Sequence, residues 1–466
     1  MSPTSAFKSA CSFTVLTALA GCAGSDASTA TLVFDGYTAG VALAEVVVDE
    51  TSDPITYTLR VRTPTTLRWS DPVVVAVQHL EEFDSEGLPR PLIRSIQMLA
   101  RVDALDWSGE AESWPEAGVA YDRHREVEAR VDGRTLRGTY WAVRDGTRPI
   151  DLVVGEKGDL LAAISPSTDH VLVRRGYEGF TTVERWRAPT VSQPDYGYHE
   201  IEPEMVGMRD GVRLATRVYL PAANGPFPTI FVRTPYGLTG LIGNYFHYAM
   251  RGFAVVLQAT RGTSYWDPAN RSEGVWHPMI NEPADGADAL EWITEQGWSD
   301  GGVCMQGGSY VGYTQWATTM ADNPSLKCIV PESSMGTAFS DQPFMGGGMV
   351  LGMAYYMFWM LERPILPDRT WSDILAYRPL VDLDVFATGE DIPQWNEMLD
   401  HWRNDEYWGA QDWYRDAGER NFSTLQISGW WDDDYPGTQS NWELMQQTSS
   451  APQRLILGPW KHGYNA

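Results

Sequence analysis

The chain has 466 residues, of which 43% are hydrophobic and 21% are charged, and this composition excludes a mostly disordered protein. Its 61 Asp and Glu residues against 35 Lys and Arg residues give a net charge of −26. General binding to nucleic acid is excluded, because contacts to phosphates need a positive surface. The length leaves room for about three domains of ~150 residues each.

The first thirty residues have the pattern of an export and anchoring signal. Residues 1–21 contain one charge and an apolar run that is too short to span a bilayer, which is typical of a signal peptide. The run ends in Leu-Ala-Gly before Cys22, a pattern that resembles a bacterial lipobox. We expect Cys22 to carry a lipid anchor to the cell envelope, at the periplasmic side of the outer membrane or the cell surface, and residues 22–30 to form a tether. An ordinary signal peptide with an incidental cysteine is the alternative.

Residues 31–188 show the alternation of apolar and polar residues that is typical of strands. An Asp-Gly pair at 132–133 separates two alternating segments and predicts a β-hairpin. We therefore predict a β-rich N-terminal domain, in which no catalytic group is recognisable. A linker rich in Pro and polar residues is predicted at 189–199.

Beyond the linker, short continuous apolar strands alternate with helical stretches, which predicts a mostly parallel sheet covered on both faces. The fold class is α/β, with one part of the sheet at 200–335 and the other at 421–466. The segment 336–420, rich in Met, Trp and Tyr, is predicted to be a helical lid. Its uncharged stretch 344–361 is long enough to span a membrane, but its three consecutive glycines favour a buried or substrate-facing helix.

Two cysteines, Cys304 and Cys328, lie in apolar strand-like segments of this α/β region. We expect them to be free and inert, as buried cysteines on neighbouring strands often are. A disulfide in an oxidising compartment is the alternative.

A glycine-rich turn at 307–312 provides the candidate nucleophile. It reads Gly-Gly-Ser-Tyr-Val-Gly, follows a strand and precedes a helix. A serine on such a turn is held at the carboxyl edge of the sheet, with the next backbone N–H directed at a developing oxyanion. Ser309 is this serine, although Val311 occupies the place of the second glycine in the five-residue form Gly-x-Ser-x-Gly.

The partners of a nucleophilic serine follow in the order expected for this architecture, an acid and then a histidine. Asp432 comes just after the next-to-last strand and His462 just after the last one. Carboxyl ends of strands build the site in sheets of this kind. The imidazole can take the serine proton, and the carboxylate can orient the imidazole.

The region from about 200 to 466 resembles the X-prolyl dipeptidyl-peptidase and cocaine-esterase family of α/β-hydrolases. The matching segments are 233–236, 258–262, 291–298, 307–312, 429–432 and 458–462. The resemblance implies a serine hydrolase with Ser309, Asp432 and His462 as the triad, and we expect neither a cofactor nor a metal. It further implies that the Tyr236 hydroxyl and the Tyr310 backbone N–H form the oxyanion hole.

The resemblance also implies a closing helix and a C-terminal β-sandwich, which are absent because the sequence stops four residues after His462. Either the chain is a fragment, or it is an unusually short form. A non-catalytic, surface-binding lipoprotein on a hydrolase scaffold is therefore the alternative to an enzyme.

The predicted substrate is a small ester, amide or short peptide. Aromatic and Met residues of the lid, together with Trp430 and Trp431, favour an apolar acyl pocket, although core packing accounts for many such residues. Asp433 and Asp434 follow the predicted triad acid directly. One hypothesis is that they attract a free α-ammonium group on the substrate; a solvated loop or a helix cap is the alternative.

Overall fold

The computed structural model describes residues 31–462, apart from 86, 103–106, 108–110, 115–118, 132, 145–149, 166–167 and 416–417. The predicted signal peptide, the tether and Cys22 lie outside the described residues. In the part of the chain that is described, no helix is long and apolar enough to cross a membrane.

The N-terminal region forms one antiparallel sheet with a few short helices. Its strands are β1 (Leu32–Thr38), β2 (Val41–Asp49), β3 (Thr56–Val61), β4 (Val73–Ala76), β5 (Ala111–Trp114), β6 (Val119–Val131), β7 (Arg134–Arg144), β8 (Ile150–Gly155), β9 (Leu160–Ser165) and β10 (His170–Arg174). The helices are α1 (Val77–Leu80), α2 (Arg90–Gln97), α3 (Leu99–Val102) and α4 (Val183–Trp186).

The order of these strands is β4-β3-β2-β1-β10-β9-β8-β7-β6-β5. Val131 pairs with Arg134 across β6 and β7, which confirms the predicted hairpin. Helix α2 buries Leu92 and Ile96 in the core of this sheet, since apolar residues four apart lie on one face of a helix.

The second sheet contains the remaining strands. They are β11 (Tyr198–Glu200), β12 (Glu204–Gly207), β13 (Arg213–Pro221), β14 (Phe227–Thr234), β15 (Ala254–Ala259), β16 (Ser299–Gly308), β17 (Leu326–Glu332), β18 (Ser423–Gly429) and β19 (Gln453–Gly458). The order is β11-β13-β15-β14-β16-β17-β18-β19, with β12 paired to β13. From β15 to β19 all pairs are parallel, which confirms the predicted α/β fold with a mostly parallel sheet.

Helices connect and cover the strands of this second sheet. They are α5 (Ile242–Ala249), α6 (Glu282–Glu295), α7 (Tyr310–Thr319), α8 (Gly352–Met360), α9 (Trp371–Ala376), α10 (Leu383–Thr388), α11 (Pro393–Asp400), α12 (Glu406–Gly409) and α13 (Tyr435–Thr448). Helices α8 to α12 lie between β17 and β18. The uncharged stretch 344–361 contains a three-residue 3-10 helix (Met345–Gly347) and the nine-residue α8, whose Met353, Met357 and Phe358 are buried in the main core.

Cys304 and Cys328 form a disulfide, so the expectation of two free cysteines is wrong. The parallel register of β16 and β17 places the two residues directly opposite each other, with their Cα atoms 4.6 Å apart. This separation lies in the range that a disulfide spans. The strand pattern predicts neighbouring strands but not their register, and the register decides whether two cysteines meet.

Candidate active site

Ser309 lies on a strained turn between β16 and α7. Its backbone has φ +62° and ψ −131°, a conformation that residues with a side chain rarely adopt. The turn is held by its N–H, which donates to the Glu332 carbonyl at 2.8 Å. Gly312 is needed one turn into the helix, because a Cβ there would lie 2.7 Å from the Ser334 Cβ. The helix thus packs closely against the segment after β17, and the turn holds Ser309 at the sheet edge.

Two hydrogen-bond donors flank the Ser309 hydroxyl. Tyr236, which follows β14, donates its hydroxyl proton to Ser309 Oγ at 3.3 Å. The Tyr310 backbone N–H is the first of α7, and no acceptor for it exists among the described residues. Unpaired N–H groups at a helix N-terminus favour negative charge. The tyrosine hydroxyl at Ser309 Oγ and the unpaired amide of the next residue are the two donors predicted for an oxyanion hole.

Tyr356 on α8 contributes to this arrangement. Its hydroxyl donates to the Tyr236 hydroxyl at 3.5 Å, so that a chain of hydroxyl groups leads from α8 to Ser309. Burial and the neighbouring Tyr236 raise the pKa of Tyr356 well above its ordinary value, so it remains a neutral donor. In the sequence, Tyr356 is one of many aromatic residues of the segment 336–420, and its contact with Tyr236 depends on how α8 packs in the fold.

Beneath the turn, a buried ion pair supports the end of β14 and the start of α7. Arg233, the last residue but one of β14, is fully buried and lies 3.0 Å from Glu282 Oε2. The Tyr310 hydroxyl donates to Glu282 Oε1 at 3.0 Å. The side chain of Tyr310 thus points away from the site and anchors the first residue of α7 to α6, while its N–H remains at the surface of the turn.

His462 and Asp432 are hydrogen-bonded to each other. The ring Nδ1 lies 2.9 Å from Asp432 Oδ1, and Asp432 Oδ2 accepts a hydrogen bond of 2.8 Å from the Ser428 hydroxyl. Ser428 belongs to β18 and was missed by the sequence analysis, although it lies four residues before the acid. With one oxygen held by Ser428, the other faces the histidine in a fixed direction.

Backbone contacts hold the two loops that carry Asp432 and His462 together. The N–H of Trp430 donates to the Gly458 carbonyl at 2.9 Å, and the N–H of Trp431 donates to the Trp460 carbonyl at 3.2 Å. Gly429 permits this approach, since a Cβ there would lie 2.0 Å from the Trp460 carbonyl oxygen.

The groups around His462 shift the pKa of His462 and the pKa of Asp432. Burial alone would raise the pKa of Asp432, but the hydrogen bonds from His462, the Asp434 N–H and Ser428 hold it well below its usual range. The hydrogen bond to Asp432 raises the pKa of His462 to about 9 against the effect of burial, and the carboxylates of Asp434 and Asp433 add to the rise. Their oxygens lie 3.6 and 3.5 Å from His462 Nδ1.

Ser309 and His462 belong to the same edge of the sheet. Tyr236, Ser309, Asp432 and His462 follow the carboxyl ends of β14, β16, β18 and β19. No hydrogen bond joins Ser309 to His462 within residues 31–462 as the structure describes them. In enzymes without substrate, such a contact is often long and tightens in the complex.

The remaining predicted pocket residues separate into exposed and buried groups. Trp430 and Trp431 are 56% and 67% exposed and lie at the surface beside the acid. The Asp433 side chain is 73% exposed. Asp434 is buried, stands at the N-cap position of α13 without a capping hydrogen bond from its side chain, and accepts a hydrogen bond of 2.6 Å from Gln342. Burial and the nearby Asp341 carboxyl raise the pKa of Asp434 well above its ordinary value.

Asp432, Asp434 and His462 also place potential metal-ligand atoms within 4.8 Å of one another. A cation there would need His462 Nδ1 and an Asp432 oxygen, which the hydrogen bond between these groups already occupies. The arrangement therefore fits an acid that orients a general base better than a metal centre.

Comparison with known proteins places these motifs in a family. The X-Pro dipeptidyl-peptidase (S15 family) matches residues 210–464. A cocaine esterase of Rhodococcus sp. (strain MB1 Bresler) is 30% identical over 295 residues, which cover 58% of this chain and 50% of the relative. The chain thus spans about half the length of the curated relatives that it matches.

Solved structures resemble the same region. An alpha-amino acid ester hydrolase is 24% identical and covers 59% of this chain and 50% of its own, with a TM-score of 0.47. An aminopeptidase from a marine sediment archaeon, Thaumarchaeota archaeon, is also 24% identical, covers 58% and 50%, and has a TM-score of 0.47. Since the family match extends over more than half of the sequence and includes the segments that carry Ser309, Asp432 and His462, the chain belongs to the X-Pro dipeptidyl-peptidase (S15) family.

Proposed function

We propose that the protein is a serine hydrolase that cleaves ester or amide bonds of small substrates through an acyl-enzyme. The observation that carries this proposal is the pairing at one sheet edge of Tyr236 with Ser309 and of Asp432 with His462. Membership of the S15 family supports the same reaction class. A purely binding role leaves the strained backbone of Ser309 and the hydrogen bond between Asp432 and the imidazole without an explanation.

In the proposed reaction, His462 Nε2 takes the proton of Ser309 as its Oγ attacks the substrate carbonyl carbon. The carbonyl oxygen becomes an oxyanion and is stabilised by the Tyr236 hydroxyl and the Tyr310 N–H. His462 then gives the proton to the leaving oxygen or nitrogen, whose bond to carbon breaks. A water molecule, deprotonated by His462, attacks the acyl-enzyme and restores the free serine. Asp432 stabilises the imidazolium throughout.

Aromatic residues beside the oxyanion donors support an apolar or aromatic substrate. The Trp359 ring stacks near Tyr236, with 6.5 Å between centroids, and on Trp266, with 5.2 Å between centroids. Both indoles remain partly exposed, at 43% and 39%. A flat or apolar group next to the reacting carbonyl would therefore stack on these two indole rings.

A free ammonium group on the substrate would be attracted by Asp433. Its carboxylate is exposed, lies 3.5 Å from His462 Nδ1 and has no Lys or Arg partner among the described residues. The net charge of −26 adds a field of the same sign. Aminoacyl esters and N-terminal dipeptides would then be preferred over neutral esters. Equal kcat/KM values for matched esters with free and acetylated amines would refute this preference.

Labelling with a fluorophosphonate tests the proposed reaction class. Attack by Ser309 Oγ on the phosphorus displaces fluoride and leaves a stable phosphonyl-serine. We expect about one label per folded molecule, and none in Ser309→Ala. Ser52→Ala, in the turn between β2 and β3, is the matched control and should label fully. A folded wild-type protein that does not label would favour the binding protein instead.

The same protein is proposed to be exported and anchored to the cell envelope by a lipid on Cys22. The lipobox-like sequence before Cys22 supports this location. Feeding cells an alkyne-labelled fatty acid should tag the full-length protein, and Cys22→Ser should abolish the tag. Cys11→Ser is the matched control and should leave it unchanged.

A further inference from the structure

A cavity of about 410 Å³ lies beside the turn that carries Ser309, on the side of Tyr236. Tyr236 and Gly308 form one wall, and Asn244 and Tyr245 of α5 form another. The cavity therefore shares one wall with the residues that flank Ser309. Ser309 and His462, which transfer the proton in the proposed reaction, do not line this cavity.

The position of the cavity decides which part of a substrate it can take. Strand β14 lies next to β16 on one side of Ser309, whereas β17, β18 and β19 follow on the other side. His462 must face the leaving atom to protonate it, so the leaving group departs towards β18 and β19. The cavity beside β14 is consequently on the acyl side of the reacting carbonyl.

The lining combines an apolar body with polar groups at one end. Val232, Leu241 and Val311 supply apolar surface, and the Asn244 side chain supplies an amide. The Tyr245 hydroxyl has no hydrogen-bond partner within the described chain. Burial, with the nearby Glu332 carboxyl, raises the pKa of Tyr245, so its hydroxyl stays protonated. An unpaired donor beside apolar walls suits a ligand with an apolar body and a polar tip.

One face of helix α5 packs against the N-terminal sheet. Phe246 and Met250 are buried within the apolar core of that sheet. Arg251 donates to the Ala39 carbonyl at 2.7 Å and to the Ser192 carbonyl at 3.0 Å. Its guanidinium also lies over the Trp186 ring, 4.8 Å from the centroid. One face of α5 thus belongs to the N-terminal core, while Asn244 and Tyr245 face the cavity.

We propose that this cavity binds the acyl side chain of the substrate and that Tyr245 selects side chains ending in a hydrogen-bonding group. In this proposal the N-terminal sheet is part of the substrate site, because it positions α5. The proposal rests on the acyl-transfer function above and deepens it. The substrate class is an ester or amide whose acyl chain has an apolar body and a hydroxyl or similar polar tip.

Two matched esters test the selection by Tyr245 in the full-length protein. The 4-nitrophenyl esters of 3-phenylpropanoate and 3-(4-hydroxyphenyl)propanoate differ by one hydroxyl group. We expect the wild type to favour the hydroxylated ester about tenfold in kcat/KM, as one hydrogen bond to a buried group allows. In Tyr245→Phe this ratio should fall to about one. Tyr177→Phe, the same change within the N-terminal region, should keep the wild-type ratio.

The possible results distinguish failure of the proposed subsite from failure of the proposed hydrolase function. A wild type without preference, or a Tyr245→Phe variant with the wild-type ratio, overturns the subsite while fluorophosphonate labelling still supports the hydrolase. A parallel loss on both esters in Tyr245→Phe, with the ratio retained, assigns Tyr245 a structural role and also overturns the subsite. A folded wild type that neither labels nor cleaves either ester overturns the proposed function together with the subsite.

The positioning role of the N-terminal sheet has its own test. Arg251→Met removes the hydrogen bonds to Ala39 and Ser192 but keeps a long apolar side chain. We expect KM for the hydroxylated ester to rise about tenfold and kcat to change less than twofold. Arg251→Lys, which keeps a donor, should recover part of this loss. Equal effects on both esters, or a fall in kcat alone at an unchanged melting temperature, would contradict the positioning role.

Discussion

At the scale of single residues, the proposed chemistry depends most directly on the hydroxyl group of Tyr236. It already donates to Ser309 Oγ, and it can turn to an oxyanion without any movement of β14. Tyr236→Phe removes one oxyanion donor and keeps the ring that packs against Trp359. We predict a fall in kcat of about 100- to 1000-fold with a small change in KM, measured by steady-state kinetics.

The matched control for this substitution is Tyr355→Phe on α8, the helix that also carries Tyr356. The Tyr355 side chain is exposed and contacts Trp371 rather than the site. Its activity should equal that of the wild type. A Tyr236→Phe variant with wild-type kcat would exclude the tyrosine hydroxyl from the oxyanion hole.

Titration of His462 predicts the pH dependence. The imidazole accepts the serine proton only when neutral, and the hydrogen bond to Asp432 raises the pKa of His462 to about 9. The free enzyme should therefore show kcat/KM rising with pH, with its midpoint near pH 9 and a plateau above that pH. Asp433→Asn removes one of the nearby negative charges, so the midpoint should move to lower pH. An unchanged midpoint in Asp433→Asn would show that this carboxylate does not act on the histidine.

At the scale of elements, the close approach of two loops holds Asp432 against His462. Gly429 ends β18, and a Cβ there would meet the Trp460 carbonyl oxygen at 2.0 Å. Gly429→Ala must therefore push the loop that carries His462 away from the acid. We predict a loss of kcat of at least tenfold and a lower melting temperature, followed by kinetics and thermal unfolding.

Gly207 provides the control, since it ends β12 and a Cβ there would meet nothing within 4 Å. Gly207→Ala should retain both activity and melting temperature. If Gly429→Ala behaved in the same way, the distance between the two loops would not be limiting.

At the scale of the whole molecule, the disulfide links the strand before Ser309 to its neighbour. The two cysteines are 24 residues apart in sequence, and closing a loop of this size in the unfolded chain contributes about 3 kcal/mol to stability. The double variant Cys304→Ala, Cys328→Ala should unfold at a correspondingly lower denaturant concentration. Dithiothreitol should lower the midpoint of the wild type and leave that of the double variant unchanged.

Much of the catalytic region could be predicted from local sequence. Continuous apolar strands, alternating with helical stretches, predicted the parallel sheet, because strands buried on both faces need no polar alternation. The turn at 307–312, the acid and the histidine each follow a strand, so their meeting at one edge is a consequence of parallel topology. The segment 336–420 was predicted to be a helical lid, and the structure shows five short helices, α8 to α12, within it.

The sequence by itself determined the fold class of the catalytic region and which residues stand at the carboxyl ends of its strands, because both depend on short-range pattern and chain order. Tertiary structure alone decided the rest. Strand register paired Cys304 with Cys328, and loop packing buried Asp434 while leaving Asp433 in solvent. Docking on the N-terminal sheet fixed the position of α5, which lines the cavity beside Ser309. These outcomes depend on contacts between segments far apart in sequence, for which no local pattern exists.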